Sequence, residues 1–156
     1  ATIREFAAAA GIEPRRAKQP GPRQAPSRPW REFRSQDGWP ILVGRNARGN
    51  DQLTLRKARP QDLFLHVRGA QGSHVIVPTP SGKTVPRDTL LDAALLAWHF
   101  SGLSRRPRGE VDYVQRRHVR KPKGTPPGLV TLQRQKTLSL RADEARKRRI
   151  LGTERK

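Results

Sequence analysis

From Gly38 onward the apolar positions fall in short runs separated by Gly, Pro or Asn-Asp: Trp39–Gly44, Gln52–Lys57, Leu63–Arg68 and Ser73–Thr79. Runs of that length between turn residues predict a meander of antiparallel strands. A longer segment follows, opened by Pro86 and Asp88 and closed by Gly102. Within it Leu91, Leu95 and Trp98 share one stripe that Leu90, Ala94 and Ala97 widen. That spacing, with an early proline and acid and a final glycine, predicts the one main helix, lying across the sheet. Further strands are expected near Glu110–Arg116, Leu129–Gln135 and Thr137–Arg141, split by the basic, proline-rich stretch Arg120–Gly128. The result is an α+β fold: a mostly antiparallel sheet of about six or seven short strands with that helix packed on it.

The ends read differently. Residues 2–12 hold a polar cap candidate, four alanines and a terminating Gly11, which predicts a short helix, the tail of an upstream region over 1–13. Residues 14–29 contain prolines 14, 20, 22, 26 and 29 and almost nothing apolar, the composition of a linker. Residues 142–156 carry nine charged side chains and are expected to form a basic tail, either a frayed helix or disordered. The folded domain is thus expected over 30–141. Its core should lie within 37–141, leaving Phe33, Ile150 and Leu151 outside.

Charge then narrows the partner. Thirty-three basic and thirteen acidic residues give a net charge of +20, a field that attracts polyanions. It is uneven: 17 basic against 5 acidic residues lie in 103–156, which alone carries +12. No run approaches the length of a membrane span or a signal peptide, so no membrane partner is expected. With no cysteine there are no disulfides or thiolate metal sites. With no methionine, residue 1 is expected not to be a translation start and the chain to be a piece of a longer one.

Catalytic signals are sparse. His66 and His74 stand on successive expected strands, and with Asp112 or His118 could form a metal site or an acid–base pair. No zinc-binding helix motif, nucleophile elbow, phosphate-binding glycine loop or carboxylate cluster accompanies them, so neither enzymatic activity nor a cofactor is expected. The run Leu63–Arg68 alternates Leu63, Leu65 and Val67 against Phe64, His66 and Arg68. One face enters the core, and the other presents groups on which RNA bases stack unless Phe64 is itself covered. Gly44–Asp51 reads as a loop between strands, either a plain hairpin or a backbone nest for an anion flanked by Arg45 and Arg48. Arg116–Gly124 packs five cations and a histidine into nine residues, a block suited to polyanion contact.

In their order these segments resemble the NFACT-R domain, formerly a domain of unknown function (DUF814). It occurs in the RqcH, NEMF and Tae2 family of ribosome quality-control factors, whose bacterial members are also labelled fibronectin-binding proteins. The resemblance rests on Gly38–Asn46 with Asn50–Thr54, Asp62–Val67 with Gly72–Val77, Pro86–Ser101, and Val111–Tyr113 with Val119–Pro122. Gln71, where a proline usually precedes Gly-Ser-His, and Pro126, where lysine is usual, depart from the pattern. The second removes one candidate phosphate contact.

The resemblance implies a non-catalytic, cytoplasmic RNA-binding module. Its parent, with upstream NFACT-N and coiled-coil regions, binds large ribosomal subunits obstructed by peptidyl-tRNA and supports C-terminal alanine tailing of stalled chains. The partners would be large-subunit rRNA and tRNA. Arg45, Arg68, Arg120, Lys121 and Lys123 would meet phosphates, while Asn46, Asn50, His66, Ser73 and His74 would supply orienting hydrogen bonds. Five such phosphate contacts on a single strand predict a salt slope of about −3.5. Two alternatives are an extracellular fibronectin-binding adhesin fragment and a histidine-dependent nuclease.

Overall fold

The computed structural model describes residues 28–156. The expected helix over 2–12 and most of the expected linker over 14–29 lie outside the described residues. The strands are β1 (Trp30–Arg34), β2 (Pro40–Gly44), β3 (Leu63–Val67), β4 (Val75–Val77), β5 (Arg108–Gln115), β6 (Val119–Arg120), β7 (Thr131–Leu132) and β8 (Lys136–Arg141). Six of them make one sheet in the order β1-β2-β4-β3-β5-β8, antiparallel at every pairing. β6 and β7 pair apart from it. The helices are α1 (Ala47–Asp51), α2 (Arg87–His99) and α3 (Glu144–Leu151). No helix among the described residues is long and apolar enough to cross a membrane.

The alternation of β3 places its two faces in separate cores. Leu65 and Val67 join Phe33, Ile41, Val75, Val77 and Val111 beneath α2, whose residues Asp92 to Trp98 are all buried. Phe64 points the other way, into a second cluster with Leu42, Leu53, Ile76, Val114 and Val119. The sheet is therefore covered on both sides, and Phe64, fully buried, is a core residue and not a stacking platform for bases. Trp98 closes the far end of the first core against Gly109, where an added Cβ would lie 2.7 Å from the indole.

Three expectations change in the folded chain. Gln52–Lys57 is a π-helix continuing from α1, not a strand, with Ala58 N–H bonded to the Leu53 carbonyl at 2.9 Å. The winding buries the adjacent pair Leu53 and Thr54, which a strand would send to opposite faces. Gly44–Asp51 consequently leads into helix and is not a loop between strands. Leu129–Gln135 shortens to the two residues of β7.

The core also reaches beyond 37–141. β1 pairs with β2 along five residues and buries Phe33 completely, although the charged residues around it mask the pattern. α3 is an ordered helix, not a frayed or disordered tail. Asp143 caps it by accepting from Arg146 N–H, and Ile150 is fully buried in the first core. Arg146 and Arg149 hold α3 to α2 through the buried Asp92, at 2.9 and 2.8 Å.

Candidate nucleic-acid interface

Where the C-terminal end of β3 meets the turn over 69–74, the fold opens a groove of about 950 Å³. Its other borders are the start of α1, the residues just after α2, and the segment 126–135. Position follows from sequence: the β6–β7 layer covers Phe64 and Val114 but stops short of His66, one pleat further along the same face.

Seven of the residues singled out in the sequence line this one groove: Arg45, Asn46, Asn50, His66, Arg68, Ser73 and His74. They come from three separate stretches of chain, united by the β2–β4 and β3–β4 pairings. Arg45 is exposed at the rim, with Nε donating to the Arg28 carbonyl at 2.8 Å. Its two terminal amino groups have no hydrogen-bond partner among the described residues. The Asn46 side-chain oxygen accepts from Gly49 N–H at 2.8 Å, capping α1 and leaving its amide donors for a ligand. Arg68 extends from the end of β3 to Thr137 at 3.1 Å, with Asp112 at 4.0 Å, so one of its amino groups is partly engaged.

Asn50 and His74 are spent on the fold. The Asn50 side-chain oxygen accepts from His74 N–H at 3.0 Å, and a Cβ on Gly44 would collide with that same oxygen. His74 is 1% exposed, and both of its ring nitrogens are committed. Nε2 lies 3.0 Å from the Gly128 carbonyl and Nδ1 lies 2.8 Å from the Thr54 hydroxyl. A carbonyl only accepts, so Nε2 carries the proton and the Thr54 hydroxyl donates to Nδ1. Burial, followed by the neighbouring His66, pushes the His74 ring down to about 4. Burial lowers His66 as well, opposed by the nearby backbone of Val67 and Gly72 and by the charge of Asp112. Both rings are thus neutral near pH 7. They stack edge-on at 5.8 Å, with Phe64 edge-on to His74 at 5.0 Å, a ladder whose only partly exposed ring is His66.

Arg120, Lys121 and Lys123 do not line the groove. They stand on the segment that continues into its far wall. Lys121 is a clamp: Nζ donates to the carbonyls of Pro126 and Leu129 at 2.5 and 3.0 Å and pairs with Asp51 at 3.4 Å. Arg120 is exposed and donates to the Arg117 carbonyl at 2.6 Å. Lys123 is exposed.

Sequence reasoning passed over Asp51, Thr54 and Gly128, which seat that wall. Asp51 accepts from Gly128 N–H at 2.9 Å as well as from Lys121. Gly128 sits at φ +87°, a conformation that leaves its carbonyl to the His74 ring. The Gly128 neighbours Pro127 and Leu129 gave a faint signal. Leu129 is the exposed large hydrophobic residue of the described chain, at the groove's lip. Phe100, also bordering the groove, carries Arg31 over its ring at 5.4 Å. Among the described residues no group of three His, Asp or Glu side chains converges as a metal site.

A cationic rim around a polar groove, on an α+β scaffold with a strong positive field, defines the class as a polyanion-binding domain. Residues 30–134 match the family model of the NFACT protein RNA binding domain, and the chain belongs to that family. It is similar to the Rqc2 homolog RqcH of Bacillus subtilis (strain 168), with 38% identity over 122 residues that cover 78% of this chain and 21% of the relative. The ribosome quality control complex subunit NEMF homolog of Drosophila melanogaster is 33% identical over 69 residues, 44% of this chain and 7% of that protein. Among solved structures, the C-terminal part of the fibronectin/fibrinogen-binding protein from Streptococcus suis superposes with a TM-score of 0.72 at 32% identity. The match covers 94% of this chain and 57% of that one. The chain thus spans about a fifth of the length of its curated bacterial relatives.

Proposed function

We propose that this domain is the RNA-binding module of a ribosome-associated quality-control factor, and that the groove beside β3 is where RNA docks. The observation that carries the reading is the convergence of Arg45, Asn46, His66, Arg68 and Ser73 on one groove. Arg45 and Arg68 meet phosphates at its rim, with Arg120 and Lys123 on the adjoining segment. The Asn46 amide, Ser73 hydroxyl and neutral His66 supply hydrogen bonds inside. Phosphate contacts position a nucleic acid without reading its sequence, so recognition is by shape.

The parent protein, in this reading, works in the cytoplasm on large ribosomal subunits obstructed by peptidyl-tRNA and supports alanine tailing of the stalled chain. The similarity to an Rqc2 homolog and to a ribosome quality control complex subunit homolog supports that context. The module contacts rRNA and tRNA and makes no bonds itself. Its most buried histidine has no free nitrogen to serve as acid or base, which disfavours a histidine-pair nuclease.

With Lys121 reassigned to the fold, four cations remain, so log K against log salt should fall with a slope of roughly −2.8 or steeper on single-stranded RNA. Each charge-assisted contact is worth about 1.5–3 kcal/mol. Arg45→Glu with Arg68→Glu should therefore weaken binding by about tenfold or more, with an unchanged circular-dichroism spectrum. Salt-independent binding, or a folded double variant that binds as the parent does, would overturn the reading.

A further inference from the structure

Part of the groove-side face of the sheet is left bare along β5 and β8. Val111 and Tyr113 on β5, with Leu138 and Leu140 on β8, pack into the helical layer. Strand alternation therefore turns Arg108, Glu110 and Asp112, and Thr137, Ser139 and Arg141, to the opposite side. The β6–β7 layer roofs Val114 on that side, whereas Arg108, Glu110, Thr137, Ser139 and Arg141 are exposed. This bare strip begins at the groove mouth, where Arg68 donates its side chain to Thr137 and its backbone N–H to the Glu110 carbonyl. From Thr137 it runs four residues along β8, about 13 Å.

Two arginines stand face to face at its far end. Arg108 and Arg141 are directly opposed in register, an arrangement of like charges that costs stability when nothing lies between them. Neither has a carboxylate partner among the described residues, and nor do Arg105 and Arg106 in the exposed turn leading into β5. Most neighbouring acids are engaged: Asp112 with Arg68 at 4.0 Å, Asp143 with Arg146 at 3.8 Å and Glu144 with Lys147 at 3.4 Å. Glu110 is the carboxylate on the strip without such a pairing. His99 borders both the groove and a 380 Å³ pocket beside Arg105, Arg106 and Lys147, so the two surfaces are continuous.

We propose that the β5–β8 strip is a second RNA-contact surface, along which a single-stranded backbone leaving the groove shares one phosphate between Arg108 and Arg141 and places the next against Arg105 and Arg106. This inference rests on the RNA-binding reading of the groove. A phosphate between the opposed guanidiniums turns their repulsion into two charge-assisted attractions. The small side chains of Thr137 and Ser139 let a backbone lie close to the strand and offer hydroxyls to it. Continuity with the groove, in a domain of an RNA-binding family, favours RNA over an acidic polypeptide.

The test uses the full 156-residue chain and a fluorescein-labelled 16-nucleotide oligouridylate, with anisotropy read across a salt series. Arg108→Gln with Arg141→Gln should weaken binding about tenfold or more at low salt and make the slope less negative by roughly 0.7, the share of the one phosphate the pair holds. Its thermal midpoint should stay level or rise, because a like-charge pair has gone. Arg105→Gln with Arg106→Gln, in an exposed turn, should give the same direction of change and serves if the strand variant does not fold. Native affinity and slope in both double variants, while Arg45→Gln with Arg68→Gln still weakens binding, would sink this inference and leave the groove standing. Undiminished binding in the Arg45 and Arg68 variant would sink the groove itself. Polyglutamate of matched charge that binds as tightly as the RNA, and loses as much in the strip variant, would overturn the assignment to RNA.

Discussion

His74 illustrates how far a side chain's role depends on its surroundings. Beside Gly72 and Ser73 it reads as a ligand contact, yet in the fold it joins α1, the π-helix and the groove wall through Asn50, Thr54 and Gly128. Its pH signature follows. The ring's ordinary value near 6.5 applies to the unfolded chain, and the folded value is pushed down to about 4. The unfolded state therefore takes up a proton first as pH falls. The stability present above pH 6.5 is lost progressively down to about pH 4, by about 3 kcal/mol in all. Urea midpoints at pH 7 and pH 4.5 measure that loss, and His74→Gln should flatten it. Gly109 offers a plainer case: Gly109→Ala drives a methyl group into the Trp98 indole and should cost about 1–3 kcal/mol, read by thermal melting. Nothing near Gly109 in the sequence announces that contact, because Trp98 lies on another element.

The helical stripe of α2 was plain from its spacing, and the strands β2 to β5 and β8 from their apolar runs. α3 was not, since five of its eight residues are charged and only Ile150 and Leu151 hint at burial. Its attachment is tertiary: Ile150 enters the first core while Arg146 and Arg149 converge on the buried Asp92. Ile150→Ala should therefore cost about 2–5 kcal/mol, where a frayed tail would show no change in a denaturant melt. Asp92→Ala should cost about 2–4 kcal/mol by removing the buried carboxylate on which Arg146 and Arg149 converge, although Arg146 keeps Asp88 and Asp143. Limited proteolysis should then cut first within α3. The π-helix over Gln52–Lys57 escaped notice for a related reason. Its residues alternate as a strand would, and only the partner His74 explains why Thr54 is turned inward.

The whole chain carries +20, and that field opposes its own compaction while drawing in RNA. Raising salt about tenfold, from roughly 0.05 to 0.5 M, should raise the melting temperature of the free domain by screening and weaken RNA binding by counterion release. Opposite salt responses in the two measurements are the signature of a surface charged for a partner. Net charge, helix position, the β3 alternation and the family segments are properties of adjacent residues, so they could be read along the chain. Which cations stay available is not such a property. Lys121 lost its place among them to Asp51, and Arg108 and Arg141, thirty-three residues apart in number, met only when β5 paired with β8. Pairing across a sheet brings together groups that no local period relates, and burial then settles which of them water, or RNA, can still reach.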